Sequence, residues 1–146
     1  MVIGKFHLRN YLKMKYLIDT HVFIWSQTQT SELSQTFINV FEDVTNEIYY
    51  SAVSLWEIKI KNSIGKLDCN YEKLNLILDK ANAQSCKFLS LEYETLISFN
   101  LPIHPFHKDP FDRMLIWQAI HHNYTLVSRD KKFKLYEDIT SLKLLW

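Results

Sequence analysis

Two aspartates near the C-terminal end of the chain have a spacing that suits both a helix start and the binding of a cation. Asp109 and Asp112 lie three residues apart in the segment H-K-D-P-F-D-R-M-L-I-W-Q-A. Because Pro110 is favoured at the first helical position, both carboxylates fall in one turn, where backbone N–H groups point outward. The local pattern alone predicts that Asp109 caps the helix and that Asp112 suits its positive end.

Three further acids fall beside other predicted junctions between a strand and a helix. Asp19 ends the apolar run K-Y-L-I, Asp130 follows T-L-V-S-R, and Glu57 lies a turn into a predicted helix. Asp19 and Asp130 are typical N-caps, and Ser54 with Glu57 has the spacing of a capping box. Local structure therefore explains each acid singly.

Taken together, Asp19, Glu57, Asp112 and Asp130 indicate a metal site. Four carboxylates a few ångströms apart repel one another by roughly 1–4 kcal/mol per close pair, so stability alone does not assemble them. A divalent cation would offset this repulsion, and Mg²⁺ and Mn²⁺ prefer oxygen ligands of this kind. We therefore predict that the four acids converge on a Mg²⁺ or Mn²⁺ ion.

The elements that position these acids follow from the periodicity of apolar residues. Short apolar runs predict five strands, near residues 15–18, 48–50, 88–91, 125–127 and 142–146. Helical patterns fall between them, near residues 21–25, 33–44, 51–61, 74–81, 92–99, 109–122 and 131–135. This alternation predicts an α/β sandwich with a mainly parallel sheet. Right-handed crossovers then place the strand-to-helix loops at the carboxyl edge of the sheet, where ligands bind.

The composition is that of one globular domain with a sizeable core, since 47% of the 146 residues are apolar. The net charge of +1 neither indicates nor excludes a nucleic-acid partner. Cys69 and Cys86 form no C-x-x-C motif, and no apolar run reaches about 18 residues, which favours a reducing cytoplasm and no membrane span. The pattern becomes regular at Met14, so we predict a domain over residues 14–146. It follows an N-terminal extension, 1–13, that is either native or an upstream assignment of the start.

Four segments of the chain carry the acids: Y-L-I-D-T-H-V-F-I-W, S-A-V-S-L-W-E-I-K-I-K-N-S-I-G-K-L, H-K-D-P-F-D-R-M-L-I-W-Q-A and T-L-V-S-R-D-K-K-F. In this order they resemble the PIN-domain nucleases, and in particular the VapC-type toxins of type II toxin–antitoxin systems. The resemblance covers Met14 to Trp146, and its specificity comes from four motifs in order. It implies a PIN-like three-layer α/β/α sandwich with a mainly parallel sheet of about five strands.

The resemblance implies an endoribonuclease that depends on Mg²⁺ or Mn²⁺ and hydrolyses RNA phosphodiester bonds. It assigns the catalytic and metal-binding roles to Asp19, Glu57, Asp112 and Asp130. Asp19 and Asp112 would be the main ligands of the cation, which lowers the pKa of a bound water and screens the phosphate charge. Glu57 and Asp130 would complete the shell, orient the water or help to hold a second ion. In-line attack would leave a 5′-phosphate and a 3′-hydroxyl.

Three further residues match supporting positions of these motifs. Thr20 and Ser128 match small hydroxyl positions beside the acids, and Asp109 matches an aspartate whose role we interpret as mainly structural. No acid of the family pattern is missing from the chain. The N-terminal extension is the one departure from the pattern.

Basic residues and histidines near these motifs have roles that the sequence leaves open. Arg113 could support the site by contacting phosphate or by pairing with a neighbouring acid. Lys131 and Lys132 are candidate contacts to RNA phosphates, for which salt-dependent binding is expected. His104 and His107 form H-x-x-H in a loop that contains proline, which favours loop hydrogen bonding over a zinc site.

The resemblance also implies three partners: RNA, a small antitoxin that blocks the acidic cleft, and a second copy of the chain in a homodimer. A housekeeping PIN nuclease in RNA processing would use the same site, so the sequence leaves that alternative open. A receiver-like signalling domain also gathers acids around Mg²⁺, but it would want a paired acid cluster after the first strand, where Asp19 stands alone. A catalytically silent RNA-binding module would not need the full set of acids.

Overall fold

The computed structural model describes residues 13–146, so the predicted N-terminal extension lies outside the described residues except for Lys13. The strands are β1 (Lys15–Ile18), β2 (Glu47–Ser51), β3 (Lys87–Leu89), β4 (Thr125–Val127) and β5 (Lys143–Leu145). The α-helices of this part of the chain are α1 (Thr20–Thr28), α2 (Gln35–Glu42), α3 (Ala52–Ser63), α4 (Tyr71–Ala83), α5 (Tyr93–Ile97), α6 (Pro110–His122) and α7 (Lys134–Glu137). Short 3₁₀ helices lie at Thr30–Glu32 and Lys131–Phe133.

The five strands form one parallel sheet in the order β3-β2-β1-β4-β5. Strand β1 is central, and Ile18 at its carboxyl end is in register with Tyr50 of β2 and Val127 of β4. The residues that follow these three strands therefore meet at one edge of the sheet. The predicted α/β sandwich with a parallel sheet is confirmed.

The sheet separates two hydrophobic cores, because successive side chains of a strand point to opposite faces. Tyr16 and Ile18 of β1 belong to one core, which also buries apolar residues of α1, α2 and α4 such as Phe37. Leu17 belongs to the other core, which buries residues of α6 and α7 such as Ile116. Helices therefore cover both faces of the sheet, as a three-layer α/β/α sandwich requires.

The helix starts that position the acids agree with the predicted caps, with one correction. The carboxylates of Asp19 and Asp109 cap α1 and α6 by accepting hydrogen bonds from backbone N–H groups of the first turn. Helix α3 begins after Ser51, whose hydroxyl caps it. The proposed capping box of Ser54 and Glu57 is wrong, because Ser51 is the N-cap of α3 and the side chains of Ser54 and Glu57 both hydrogen-bond Thr20 instead.

Two compositional expectations concern cysteines and membranes. Cys69 and Cys86 are buried free thiols, and burial raises the pKa of both. Within residues 13–146, no helix is both long enough and apolar enough to cross a membrane.

Candidate active site

The carboxyl edge of the sheet brings the four predicted acids together. Asp19 directly follows β1, and its backbone N–H donates to the carbonyl of Val127 in β4 at 3.0 Å. Asp130 lies three residues past β4, while Glu57 and Asp112 lie near the starts of α3 and α6. The charge of Glu57 raises the pKa of both Asp19 and Asp112, and the charge of Asp130 raises that of Asp19. The four carboxylates are therefore electrostatically coupled.

Asp19 is both a helix cap and a buried acid. It is 6% exposed, and its Oδ1 accepts the backbone N–H of Val22 at 2.8 Å. Burial raises its pKa to about 6, with smaller increases from Glu57 and Asp130, whereas hydrogen bonds from Ser128 and Val22 lower it. The ionised form of Asp19 is therefore destabilised relative to the protonated form, and a nearby cation would reduce this destabilisation.

Glu57 is buried and its two oxygens have different partners. Oε1 accepts the Thr20 hydroxyl at 2.6 Å, and that hydroxyl also hydrogen-bonds Ser54 Oγ at 3.0 Å. Oε2 pairs with the ammonium of Lys61, one turn further along α3. Burial lowers the pKa of Lys61, but the hydrogen bond to Glu57 and nearby carboxylate charges raise it overall. Glu57 therefore has a counter-cation of its own.

Asp112 stands at the third position of α6, after the cap Asp109, whose Oδ1 accepts backbone N–H groups of Phe111 and Asp112. Burial raises the pKa of Asp112 to about 7, and the charges of Asp109 and Glu57 add to the increase. The side chain of His107 lowers it, with Nε2 lying 3.2 Å from Asp112 Oδ2. The two aspartates of this motif thus differ, since one bonds the helix start and the other joins the site.

Asp130 lies at the exposed mouth of the site. Its Oδ1 accepts the backbone N–H of Lys132 at 2.9 Å, which confirms the predicted cap. Its own N–H donates to the Ser128 hydroxyl at 3.0 Å, so this loop presents both residues beside Asp19. Asp130 can therefore act on the site through its charge while it is still solvated.

The donor chemistry of the four acids fits a hard divalent cation, although no ready-made cluster is formed. In residues 13–146, no three His, Cys, Asp or Glu side chains lie close enough together to hold an ion as they stand. The raised pKa values of Asp19 and Asp112 come in part from neighbouring negative charges, which a cation would offset. Carboxylate oxygens are the ligands that Mg²⁺ and Mn²⁺ prefer.

The sequence also matches a known family. A comparison with protein families matches the PIN domain over residues 16–139, a segment that contains Asp19, Glu57, Asp112 and Asp130. The chain belongs to the PIN domain family. PIN domains are nucleases, which agrees with an acidic site at this sheet edge. No curated protein matches the chain.

Solved structures similar to this PIN domain include VapBC complexes from three bacteria. VapBC2 from Rickettsia felis, bound to a DNA fragment from its promoter, is 18% identical, with 90% of this chain and 98% of that chain covered and a TM-score of 0.59. DNA-bound VapBC from Salmonella typhimurium is 14% identical, with 90% and 97% covered and a TM-score of 0.59. VapBC-1 from nontypeable Haemophilus influenzae is 18% identical, with 90% and 97% covered and a TM-score of 0.53. At these identities the likeness is one of fold.

Arg113 does not form the ion pair with a neighbouring acid that the sequence left open, and its contact with phosphate stays a prediction. Its guanidinium donates to the carbonyls of Leu101 and Pro102, at 3.0 and 2.9 Å, and to the Tyr136 hydroxyl at 3.1 Å. The planar fork of an arginine suits several carbonyl acceptors at once. In this PIN domain Arg113 therefore fixes the loop that precedes α6, and among residues 13–146 it forms no ion pair with an acid.

The remaining candidates are two lysines and two histidines, and they lie in different environments. Lys131 and Lys132 are exposed in the 3₁₀ helix after Asp130, so they remain candidate phosphate contacts at the mouth of the site. His104 hydrogen-bonds within its loop, where its Nδ1 accepts the backbone N–H of Phe106 at 3.2 Å, whereas the imidazole of His107 hydrogen-bonds Asp112 and Tyr136 outside the loop.

Sequence reasoning missed two groups that contact the acids of this PIN domain. Lys61 could have been found, because a Glu and a Lys four residues apart on a helix are close enough to pair. The contact of His107 with Asp112 had no comparable signal in the sequence. The imidazole is held toward Asp112 by its second hydrogen bond, to Tyr136, which is 29 residues away. Only the folded chain brings that tyrosine to the loop.

Proposed function

We propose that this PIN domain is a cytoplasmic endoribonuclease that depends on Mg²⁺ or Mn²⁺. The observation that supports the proposal is that Asp19, Glu57, Asp112 and Asp130 lie at one sheet edge, where burial and neighbouring carboxylate charges, including that of Asp109, raise the pKa of Asp19 to about 6 and of Asp112 to about 7. Carboxylates whose ionised form is destabilised in this way are stabilised most by a bound cation. Membership of the PIN domain family supports nuclease chemistry at this site.

We infer the role of each acid from its surroundings. Asp19 and Asp112 would hold the ion, because each is destabilised in its charged form. When bound, the ion supplies a water of lowered pKa and screens the phosphate charge. Glu57, held by Thr20 and Lys61, would orient the attacking water. In-line attack would release a 5′-phosphate and a 3′-hydroxyl.

The biological setting that we propose is a toxin–antitoxin pair. The fold likeness to VapBC complexes supports a VapC-type toxin that assembles with a small antitoxin. The antitoxin would cover the acidic edge, and the toxin would form a homodimer. Lys131 and Lys132 would contact RNA phosphates at the mouth, with binding that weakens as salt rises.

Cleavage of defined single-stranded RNAs by the purified protein tests the enzymatic proposal. We expect cleavage with Mg²⁺ or Mn²⁺, none with chelator, and a loss of roughly 100-fold or more in Asp19→Asn and Asp112→Asn. The matched control is Asp79→Asn, which changes an exposed acid of α4 and should cut as fast as the wild type. Cleavage that persists in chelator, or in both site variants while they remain folded, contradicts the proposal.

Expression in a bacterial host tests the toxin proposal separately. The wild type should arrest growth, Asp19→Asn should not, and co-expression of a small protein encoded next to this gene should relieve the arrest. A purified nuclease whose expression leaves growth unchanged would instead support the housekeeping alternative.

A further inference from the structure

His107 links the acidic site to residues that lie far from it in the sequence. It is 3% exposed, with Nε2 at 3.2 Å from Asp112 Oδ2 and Nδ1 at 2.9 Å from the Tyr136 hydroxyl. Tyr136 is itself fully buried. Both ring nitrogens of the imidazole are therefore used inside the protein, between a site acid and a core tyrosine.

The direction of these hydrogen bonds follows from the residue at the far end. Arg113 can only donate, and its Nη1–H reaches the Tyr136 oxygen at 3.1 Å. The tyrosine O–H is then available for one acceptor. His107 Nδ1 is 2.9 Å away, whereas the backbone carbonyl of His107 is 3.5 Å away, at the limit for a hydrogen bond. The nearer acceptor is Nδ1.

A histidine whose Nδ1 accepts carries its proton on Nε2 in the neutral ring. Nε2 faces Asp112 Oδ2, so the chain from Arg113 through Tyr136 delivers an N–H to that carboxylate oxygen. Oδ1 of Asp112 stays outside this chain of hydrogen bonds. One oxygen is thus engaged by the protein, and the other is left for a ligand.

The ring is also held in place by packing. Its centroid lies 5.6 Å from the ring of Phe133 and 5.4 Å from that of Tyr136, the latter in an edge-to-face arrangement. The loop that carries His107 is held through its carbonyls by Arg113, and the His107 N–H donates to the His104 carbonyl at 3.2 Å. An imidazole fixed by packing and by both nitrogens orients its partner carboxylate.

We propose that His107 is a positioning residue for Asp112, in the Nε2–H tautomer set by Tyr136 and Arg113. It would orient the carboxylate so that Oδ1 stays available to hold a cation, and this assignment rests on the proposed function. Hydrogen bonds of this kind to a ligating carboxylate tune metal affinity without contacting the ion.

Mn²⁺ binding measured by calorimetry on the full chain is the first test. His107→Leu should weaken Mn²⁺ affinity by about 10- to 100-fold, and Tyr136→Phe should weaken it less. His107→Gln should recover most of the loss, because the glutamine amide offers both an N–H donor and an oxygen acceptor. The control is His121→Leu, at the exposed C-terminal end of α6, which should bind Mn²⁺ like the wild type.

Histidine nitrogen NMR of the metal-free protein is the second test. The wild type should show His107 protonated at Nε2, and Tyr136→Phe should lose this single tautomer. A wild type protonated at Nδ1, a folded His107→Leu with wild-type Mn²⁺ affinity, or a His107→Gln as weak as His107→Leu overturns the assignment. If the wild type binds no Mn²⁺ and cuts no RNA, the proposed function fails, and the tautomer still decides whether His107 orients Asp112 in this way.

Discussion

Glu57 and Asp112 lie in the same site but are held in opposite ways. Both oxygens of Glu57 are hydrogen-bonded, one of them to the ammonium of Lys61 on the same helix. Asp112 instead bonds the imidazole of His107, and burial together with the charges of Asp109 and Glu57 raises its pKa to about 7. One carboxylate has its charge balanced inside the protein, and the other has not.

The difference shows that burial and residue type do not by themselves decide the electrostatic state of a site carboxylate. What decides it is whether a cationic side chain can reach the group. Lys61 reaches Glu57 because the two residues are one turn apart on α3. Among residues 13–146, Asp112 has no ion pair with a Lys or Arg. Its charge therefore remains for a ligand to balance.

Replacing Glu57 or Asp112 by its amide should change the stability of the protein in opposite directions. This is the largest difference that we expect between the two carboxylates. In Glu57→Gln, the partly buried Lys61 loses its partner, so the free energy of unfolding should fall by about 1–3 kcal/mol. In Asp112→Asn, a partly buried charge disappears while an oxygen still accepts from His107, so the free energy of unfolding should rise by about 1–2 kcal/mol near neutral pH. Urea unfolding without divalent ions measures both.

The control for this pair is Asp79→Asn, an exposed acid of α4, whose stability should stay within about 0.5 kcal/mol of the wild type. Changes of the same sign in Glu57→Gln and Asp112→Asn would show that the two carboxylates are not held differently.

The stabilisation by Asp112→Asn should depend on pH and should disappear in acid. The pKa of Asp112 is about 7 in the folded protein, above its ordinary value near 3.8. The folded protein therefore keeps a proton that the unfolded chain loses, and stability falls as pH rises through the folded pKa. The gain from Asp112→Asn should be near zero at about pH 4 and complete by about pH 8.

Urea unfolding of both proteins across this pH range checks the sign. A gain from Asp112→Asn that is the same at acid and neutral pH would show that the wild-type carboxyl group is not held near its raised pKa. Asp19→Asn should behave similarly, with its change centred lower, because the pKa of Asp19 is about 6.

Removal of Lys61 should make Glu57 more like Asp112, because neither carboxylate would then pair with a lysine. This is the smallest effect that we expect. In Lys61→Met, the ion-free melting temperature should fall by roughly 2–4 °C, because Glu57 loses its partner. The rise in melting temperature on adding Mn²⁺ should be larger than in the wild type, since the ammonium no longer competes with the ion. Thermal unfolding with and without Mn²⁺ measures both quantities.

Lys59→Met is the matched control, since Lys59 is exposed on the same helix and two residues away. It should leave the Mn²⁺-dependent rise unchanged. An equal rise in Lys61→Met and in the wild type would show that Lys61 does not balance the charge of the site.

Much of the fold followed from patterns that are local in the sequence. The apolar runs that end at Ile18 and Val127 predicted strands, and the caps Asp19 and Asp109 predicted helix starts. These features are readable because a cap acts within one turn and a strand repeats every two residues. The capping box at Glu57 was wrong because a spacing of three residues occurs equally inside a helix.

The sequence by itself determined which acids stand at strand ends and helix starts, and therefore which carboxylates share one sheet edge. Only the tertiary structure decided how each is held: Asp112 bonds His107 and acquires a raised pKa, and Arg113 and Tyr136 fix that histidine from afar. The physical reason is that burial and hydrogen bonds between distant residues depend on how layers pack. Those contacts leave no periodic trace along the chain.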